Sequence, residues 1–87
     1  MSQDDHIKLV VDDERAHADG IVEALEKSCA KAIAVYTGKD ALDIVSAQPV
    51  DIIITDLRLE DDIDGLTILD EALSHNSDCR VILMTAY

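Results

Sequence analysis

Residues 51–65 read DIIITDLRLEDDIDG, an apolar run that reaches Asp56 and then enters an acidic loop. The three consecutive isoleucines are typical of a short strand buried on both faces. A carboxylate directly after such a strand serves as a turn or cap residue, a satisfied core acid, a metal ligand or a nucleophile. Asp56 alone is consistent with each of these roles, so the residues elsewhere in the chain are needed to distinguish among them.

The flanking sequence alternates short apolar runs with helical stripes of apolar residues. Asp12 or Asp13 is expected to cap the first helix, and Thr37 the second, within the capping-box-like segment Thr37-Gly38-Lys39-Asp40. The order β-α-β-α-β-α-β predicts an α/β protein with a parallel sheet and helices on both faces. The predicted strands span residues 7–11, 31–36, 51–55 and 80–85, and the helices span 14–27, 37 to the residues before Pro49, and 66–73.

Polar side chains follow the predicted strands, at Asp12 and Asp13, Tyr36 and Thr37, Asp56, and Thr85. Ligands of parallel sheets bind outside the carboxyl ends of the strands. If the first and third strands are neighbours, as in the flavodoxin-like order 2-1-3-4-5, the three aspartates converge at that edge.

Converging carboxylates require a compensating charge or a proton. At an effective dielectric of 20, two carboxylates about 4 Å apart repel each other by roughly 4 kcal/mol. The free energy of unfolding of a whole domain of this length is only about 4 to 13 kcal/mol. Either one acid has a raised pKa or a cation lies among them. Hard oxygen ligands favour Mg²⁺, beside which Asp56 becomes a candidate nucleophile toward a phosphoryl group, with the Thr85 hydroxyl as a donor to it.

Composition limits the partners. The chain has 19 acidic and 7 basic residues and a net charge of -12, which argues against nucleic acid or an anionic membrane as its ligand. The first residues contain neither a secretory signal nor a membrane span, so a cytoplasmic location is expected. Cys29 and Cys79 are expected to be buried small hydrophobes, and the three histidines, His6, His17 and His75, to be exposed to solvent.

Four segments together resemble the receiver domain of two-component response regulators. They are LVVDDE (9–14), TDLRL (55–59), DGL (64–66) and VILMTAY (81–87). The resemblance covers almost the whole chain. The sequences of these segments are most similar to those of receivers of nitrogen-regulator-type transcription activators.

The resemblance implies a phosphorylation switch. Asp56 would accept a phosphoryl group from a histidine kinase or a phosphotransfer protein. Asp13 and Asp56 would ligate Mg²⁺ directly, the backbone carbonyl of Arg58 would complete the protein ligands, and Asp12 would act through water. Thr85 would contact the phosphoryl group as the switch residue, while the Arg58 and Tyr87 side chains would tune its lifetime.

The sequence departs from the family pattern in two places. Glu60 stands where the family usually has a proline, and Gly65 comes one residue later than usual. We expect residues 1–87 to form a single receiver-like domain that lacks the family's fifth strand, its lysine and the fifth helix. A longer native chain with an output domain is therefore expected, and an open fourth strand would invite pairing with another chain, as in a dimer.

Two alternatives stay open. One is a receiver-like interaction module that is not phosphorylated, which the missing lysine favours. The other, less favoured, is a calcium-binding acidic loop at residues 60–71, because Glu60, Asp62, Asp64, Gly65 and Glu71 match EF-hand positions 1, 3, 5, 6 and 12. Against it, residues 52–59 predict a strand before the loop rather than a helix.

Overall fold

The computed structural model describes residues 6–27, 31–56, 63 and 65–84, which contain four strands and three helices. The strands are parallel neighbours in the order β2-β1-β3-β4. The elements are β1 (Ile7–Val11), α1 (Arg15–Glu26), β2 (Lys31–Val35), α2 (Gly38–Ala47), β3 (Ile52–Asp56), α3 (Gly65–His75) and β4 (Arg80–Met84).

This architecture confirms the predicted α/β fold with the flavodoxin-like strand order. The first and third strands are adjacent, with Val11 opposite Thr55. Some predicted boundaries were wrong by one or two residues: β3 begins at Ile52 rather than Asp51, and α3 begins at Gly65. Thr85, predicted to end the fourth strand, lies outside the described residues.

Helices cover both faces of the sheet. Leu9 and Val11 of β1 are fully buried in one apolar cluster with residues of α2, β3 and α3, among them Val45 and Ile68. Val10 points to the opposite face by strand alternation and is equally buried. Because α1 contacts β1 and β2 while α2 and α3 contact each other, α1 covers that second face.

The helix starts show one correct prediction and one wrong one. Thr37 caps α2, since its Oγ1 accepts the Asp40 N–H at 3.0 Å. The N-cap of α1 is Glu14, which makes no side-chain cap hydrogen bond, so neither Asp12 nor Asp13 is the cap. Asp12 instead accepts the Glu14 N–H at 2.9 Å. This hydrogen bond from Asp12 to the N–H two residues later closes a turn before the helix begins. The short Asp12 side chain therefore does not reach the free N–H groups of the first helical turn.

Asp51 connects three strands at the amino-terminal edge of the sheet. Its Oδ2 accepts the Ile7 N–H at 2.8 Å, and its own N–H donates to the Ile7 carbonyl at 3.0 Å. Its carbonyl accepts the Arg80 N–H at 2.9 Å, and its Oδ1 accepts from Asn76 Nδ2 at 3.1 Å. One residue thus joins the beginnings of β1, β3 and β4.

Cys79 lies beside this junction. The residue is 7% exposed, which confirms the expected buried position, whereas Cys29 lies outside the described residues. Burial, with a smaller contribution from the negative charge of Asp51, raises the pKa of the Cys79 thiol. Among the described residues, none of the helices has the length and apolar character needed to cross a membrane.

The junction predicts the stability of one variant. Asp51→Ala removes acceptors for Ile7 and Asn76 in a half-buried place, so we expect the free energy of unfolding to fall by about 1 to 3 kcal/mol. Urea unfolding measures it. Asp43→Ala, on the exposed side of α2, is the matched control and should change the value by less than about 0.5 kcal/mol. Equal losses in both variants would show that Asp51 does not hold the strands together.

Candidate functional site

Two aspartates lie at the carboxyl edge of adjacent strands. Asp12 directly follows β1, and Asp56 is the last residue of β3. Since Val11 and Thr55 are opposite each other in the ladder, the backbone positions of Asp12 and Asp56 are neighbours by register. Asp13, which is half-buried, follows Asp12 at the same edge.

Asp12 is a buried acid with a complete set of partners. The residue is 3% exposed; its Oδ1 accepts the Glu14 N–H, and its Oδ2 pairs with His17 Nδ1. Its own N–H donates to the Val35 carbonyl at 3.2 Å, which continues the β1–β2 ladder by one residue. A carboxylate is removed from water at great cost unless it accepts hydrogen bonds, so these donors fix its orientation.

His17 is a contact that the sequence did not reveal. The exposed position expected for it is confirmed, as it is for His6 and His75, and the His17 side chain is 52% exposed. Its ring nevertheless reaches back from the beginning of α1 to the acid that ends β1. The spacing in the sequence could have indicated this contact. When a tight turn separates a strand from a helix, a side chain five residues after the acid that follows the strand lies close to that acid.

A second group beside the site joins α1 to the end of β2. The Tyr36 hydroxyl donates to Asp19 Oδ1 at 2.6 Å, and the Arg15 guanidinium carbon lies 4.4 Å from the Tyr36 ring centroid. The hydrogen bond to Asp19 is the main reason that the pKa of Tyr36 is raised. Stacking of Arg15 on Tyr36 places a positive charge near the carboxyl edge, which sequence analysis did not predict.

Other predicted site residues lie outside this description. Arg58, Thr85 and Tyr87 are not among the described residues, and the structure describes Asp56 through its backbone only. Within the described part of the chain, no three histidine, cysteine, aspartate or glutamate side chains are close enough to hold a metal ion by themselves.

The calcium-loop alternative is weakened by Glu71. This residue lies well inside α3, where its Oε2 accepts from Ser46 at 3.1 Å and pairs with His75 Nε2 at 3.0 Å. The bond to His75, and then the bond to Ser46, lower the pKa of Glu71. Glu71, the residue at EF-hand position 12, therefore joins α3 to α2. In addition, a strand rather than a helix precedes the acidic segment. Glu60, Asp62 and Asp64 lie outside the described residues.

Comparison with known proteins assigns the family. Residues 9–87 match the response regulator receiver domain, so the chain belongs to the receiver domain family of response regulators. Transcriptional regulatory protein ZraR of Escherichia coli (strain K12) is 34% identical over 88 residues, which cover 100% of this chain and 20% of ZraR. The chain thus spans about a fifth of the length of this relative.

Solved structures agree with this assignment. A response regulator from Burkholderia pseudomallei, solved with a phosphorylated aspartic acid, calcium ion and citrate, has a TM-score of 0.84 at 26% identity and covers 95% of this chain and 48% of its own. Response regulator TrrA from Thermotoga maritima, solved with Mg²⁺-BeF, has a TM-score of 0.79 at 29% identity. The match covers 94% of this chain and 70% of the TrrA chain. The predicted resemblance, including that to nitrogen-regulator-type activators such as ZraR, is confirmed.

The contacts of Asp12 predict a difference between two variants. Asp12→Asn keeps an oxygen acceptor for the Glu14 N–H while it removes a buried charge, so we expect its free energy of unfolding to equal or exceed that of the wild type. Asp12→Ala leaves Glu14 without that acceptor and should lose about 1 to 3 kcal/mol. Urea unfolding of both variants measures the difference. Equal losses would mean that the charge of Asp12, and not its acceptor, stabilises the turn.

Proposed function

We propose that this receiver domain is a Mg²⁺-dependent aspartyl phosphoacceptor of a two-component phosphorelay, with Asp56 as the acceptor. The single observation that carries the proposal is the register of β1 and β3, which brings Asp56 beside the buried Asp12 at the carboxyl edge of the sheet. Ligands of parallel sheets bind at this edge. The relative from Burkholderia pseudomallei, which carries a phosphorylated aspartic acid, supports the same chemistry.

The donor set at this edge fits a hard cation. Asp12 is a buried carboxylate in a fixed orientation, and Asp13 follows it in a half-buried position. Oxygen donors with room for water are the surroundings that Mg²⁺ prefers. Asp13, Asp56 and the Arg58 carbonyl would hold the ion directly and Asp12 through water. When bound, Mg²⁺ neutralises charge on the acids and on the phosphoryl oxygens.

The chain's own residues carry the transfer. An Asp56 carboxylate oxygen attacks the phosphorus of a phosphohistidine on the kinase or phosphotransfer partner. The new O–P bond forms as the N–P bond breaks, the electron pair returns to the imidazole, and Asp56 becomes an acyl phosphate. Thr85 would donate its hydroxyl to a phosphoryl oxygen, and the side chains of Arg58 and Tyr87 would control the access of water.

Phosphorylation would then act on the rest of a longer protein. ZraR, a transcriptional regulatory protein, is about five times as long as the segment it shares with this chain. We therefore propose that the receiver switches an output domain, and that a lysine from a fifth strand completes the site in the native chain. Direct contact of this segment with nucleic acid is not part of the proposal, because its net charge is -12.

An interaction module that is not phosphorylated is the second candidate function. Exposed apolar side chains favour it: Leu66 of α3 is 56% exposed and Ile82 of β4 is 53% exposed. Ile82 is aligned with Val10 through Ile54 and so lies on the opposite face of the sheet from α3, which makes these two separate contacts for a partner protein or for a second copy in a dimer. This candidate requires no acceptor chemistry at Asp56.

Intact-mass measurement after incubation with acetyl phosphate distinguishes the two functions. With Mg²⁺ the wild-type chain should gain the mass of one phosphoryl group, because acetyl phosphate supplies the group without a kinase. Removal of Mg²⁺ with a chelator should abolish the gain, and so should Asp56→Asn. Asp70→Asn, an exposed acid on α3, is the matched control and should be phosphorylated as the wild type is. A gain of mass that persists in Asp56→Asn contradicts the assignment of the acceptor. The absence of any gain both in this chain and in a longer chain that supplies the fifth-strand lysine contradicts the phosphoacceptor function.

A further inference from the structure

His17 lies between the buried Asp12 carboxylate and solvent. The Asp12 side chain is 4% exposed, whereas that of His17 is 52% exposed. Oδ2 of Asp12 pairs with His17 Nδ1, and Oδ1 accepts the Glu14 N–H. Both carboxylate oxygens are therefore engaged within the chain, one by backbone and one by a side chain that is free to move into water.

We propose that His17 is a positioning residue that competes with hydrated Mg²⁺ for Asp12 Oδ2, so that its contact with Asp12 opens when the ion binds. This inference rests on the proposed function, in which Asp12 holds the ion through water. It assigns to His17 a role in setting the affinity of the site, and it does not make His17 a metal ligand.

The competition follows from what a buried carboxylate requires. Asp12 needs a donor at each oxygen in both states of the protein. Without the ion, His17 Nδ1 pairs with Oδ2; with the ion, a metal-bound water would take this place. Oδ1 already accepts the Glu14 N–H, so a metal-bound water would reach Asp12 at Oδ2, the oxygen that pairs with His17. Binding of Mg²⁺ therefore exchanges one hydrogen bond for another, and the strength of the His17 contact lowers the apparent affinity.

Removal of the imidazole should tighten the binding of Mg²⁺. His17→Ala leaves Asp12 with the Glu14 N–H alone in the ion-free state, while the ion-bound state keeps its metal-bound water. From the usual net strength of a hydrogen bond to a charged group at a partly exposed site, we expect the dissociation constant to fall about three- to tenfold. His17→Asn keeps a side-chain N–H donor and should stay within about twofold of the wild type.

The chain contains a matched control for these variants. His75 pairs with Glu71 on α3 at 3.0 Å, with side chains that are 42% and 40% exposed. This pair is also a histidine with a carboxylate, but both residues belong to α3, where Glu71 Oε2 also accepts from Ser46 of α2. His75→Ala should leave Mg²⁺ affinity unchanged. His6 and His75, the other two of the three histidines, also serve as internal references in spectra.

The experiment is an NMR titration of the full chain with MgCl₂ at one pH and constant ionic strength. It follows the backbone amides, which give the dissociation constant and report folding of each variant, and the imidazole signals of all the histidines. We expect the His17 ring signals to move with the same saturation curve as the amides near Asp12, and those of His6 and His75 to stay in place. Tighter binding of Mg²⁺ by His17→Ala is the result that a purely structural role for His17 would not produce.

Three outcomes overturn the proposal, and they separate it from the proposed function. If the wild type binds Mg²⁺ and His17→Ala binds with equal or weaker affinity, the competition is wrong and the metal site stands. If the His17 ring signals do not respond to the ion, its contact does not open and the proposal is likewise wrong. If no variant binds Mg²⁺, the proposed function fails and the competition fails with it.

Discussion

Parallel pairing of β1 with β3 is the constraint on which the site depends. Because both strands run in the same direction, their carboxyl ends meet at one edge of the sheet, where Asp12 follows β1 and Asp56 ends β3. The apolar side chains of these strands, Leu9, Val11 and Ile53 among them, fill the core and fix the register. A shift of one residue would move each of them to the other face. The burial that stabilises the fold therefore also sets the neighbouring backbone positions of Asp12 and Asp56.

The acidic residues at the two edges of the sheet have different kinds of partner. At the amino-terminal edge, the oxygens of Asp51 accept from Ile7 and Asn76, so this carboxylate connects strands. At the carboxyl edge, Asp12 is oriented by one backbone donor and by His17, a partner that reaches solvent. The first arrangement connects three strands, whereas the second has the half-exposed partner on which our proposed exchange of donors rests. The same residue type thus serves stability at one edge and, in the proposed function, ion binding at the other.

Much of this arrangement was predictable from the sequence, for identifiable reasons. Short isoleucine and valine runs between helical stripes predict parallel strands, and the strand order follows once the family resemblance is recognised. The Thr37 cap follows from local chemistry alone. The sequence did not predict the role of Asp51, the partners of Asp12, or the stacking of Arg15 on Tyr36. Each of these is a contact between separate elements that only the folded chain brings together. The expected cap of α1 was wrong because Asp12 bonds the N–H of Glu14, one residue short of the helix.

In the proposed function, a divalent cation relieves the repulsion among the carboxylates at the carboxyl edge of the sheet. Thermal unfolding of the full chain in MgCl₂ and in NaCl at matched ionic strength tests it most directly. Mg²⁺ at about ten times its dissociation constant should stabilise the wild type by about 1.4 kcal/mol, which raises Tm by about 6 to 11 °C for a domain of this size. Asp56→Asn should lose most of that increment. Equal stabilisation of the wild type by the two salts would contradict the account, because only general screening would then act on the acids.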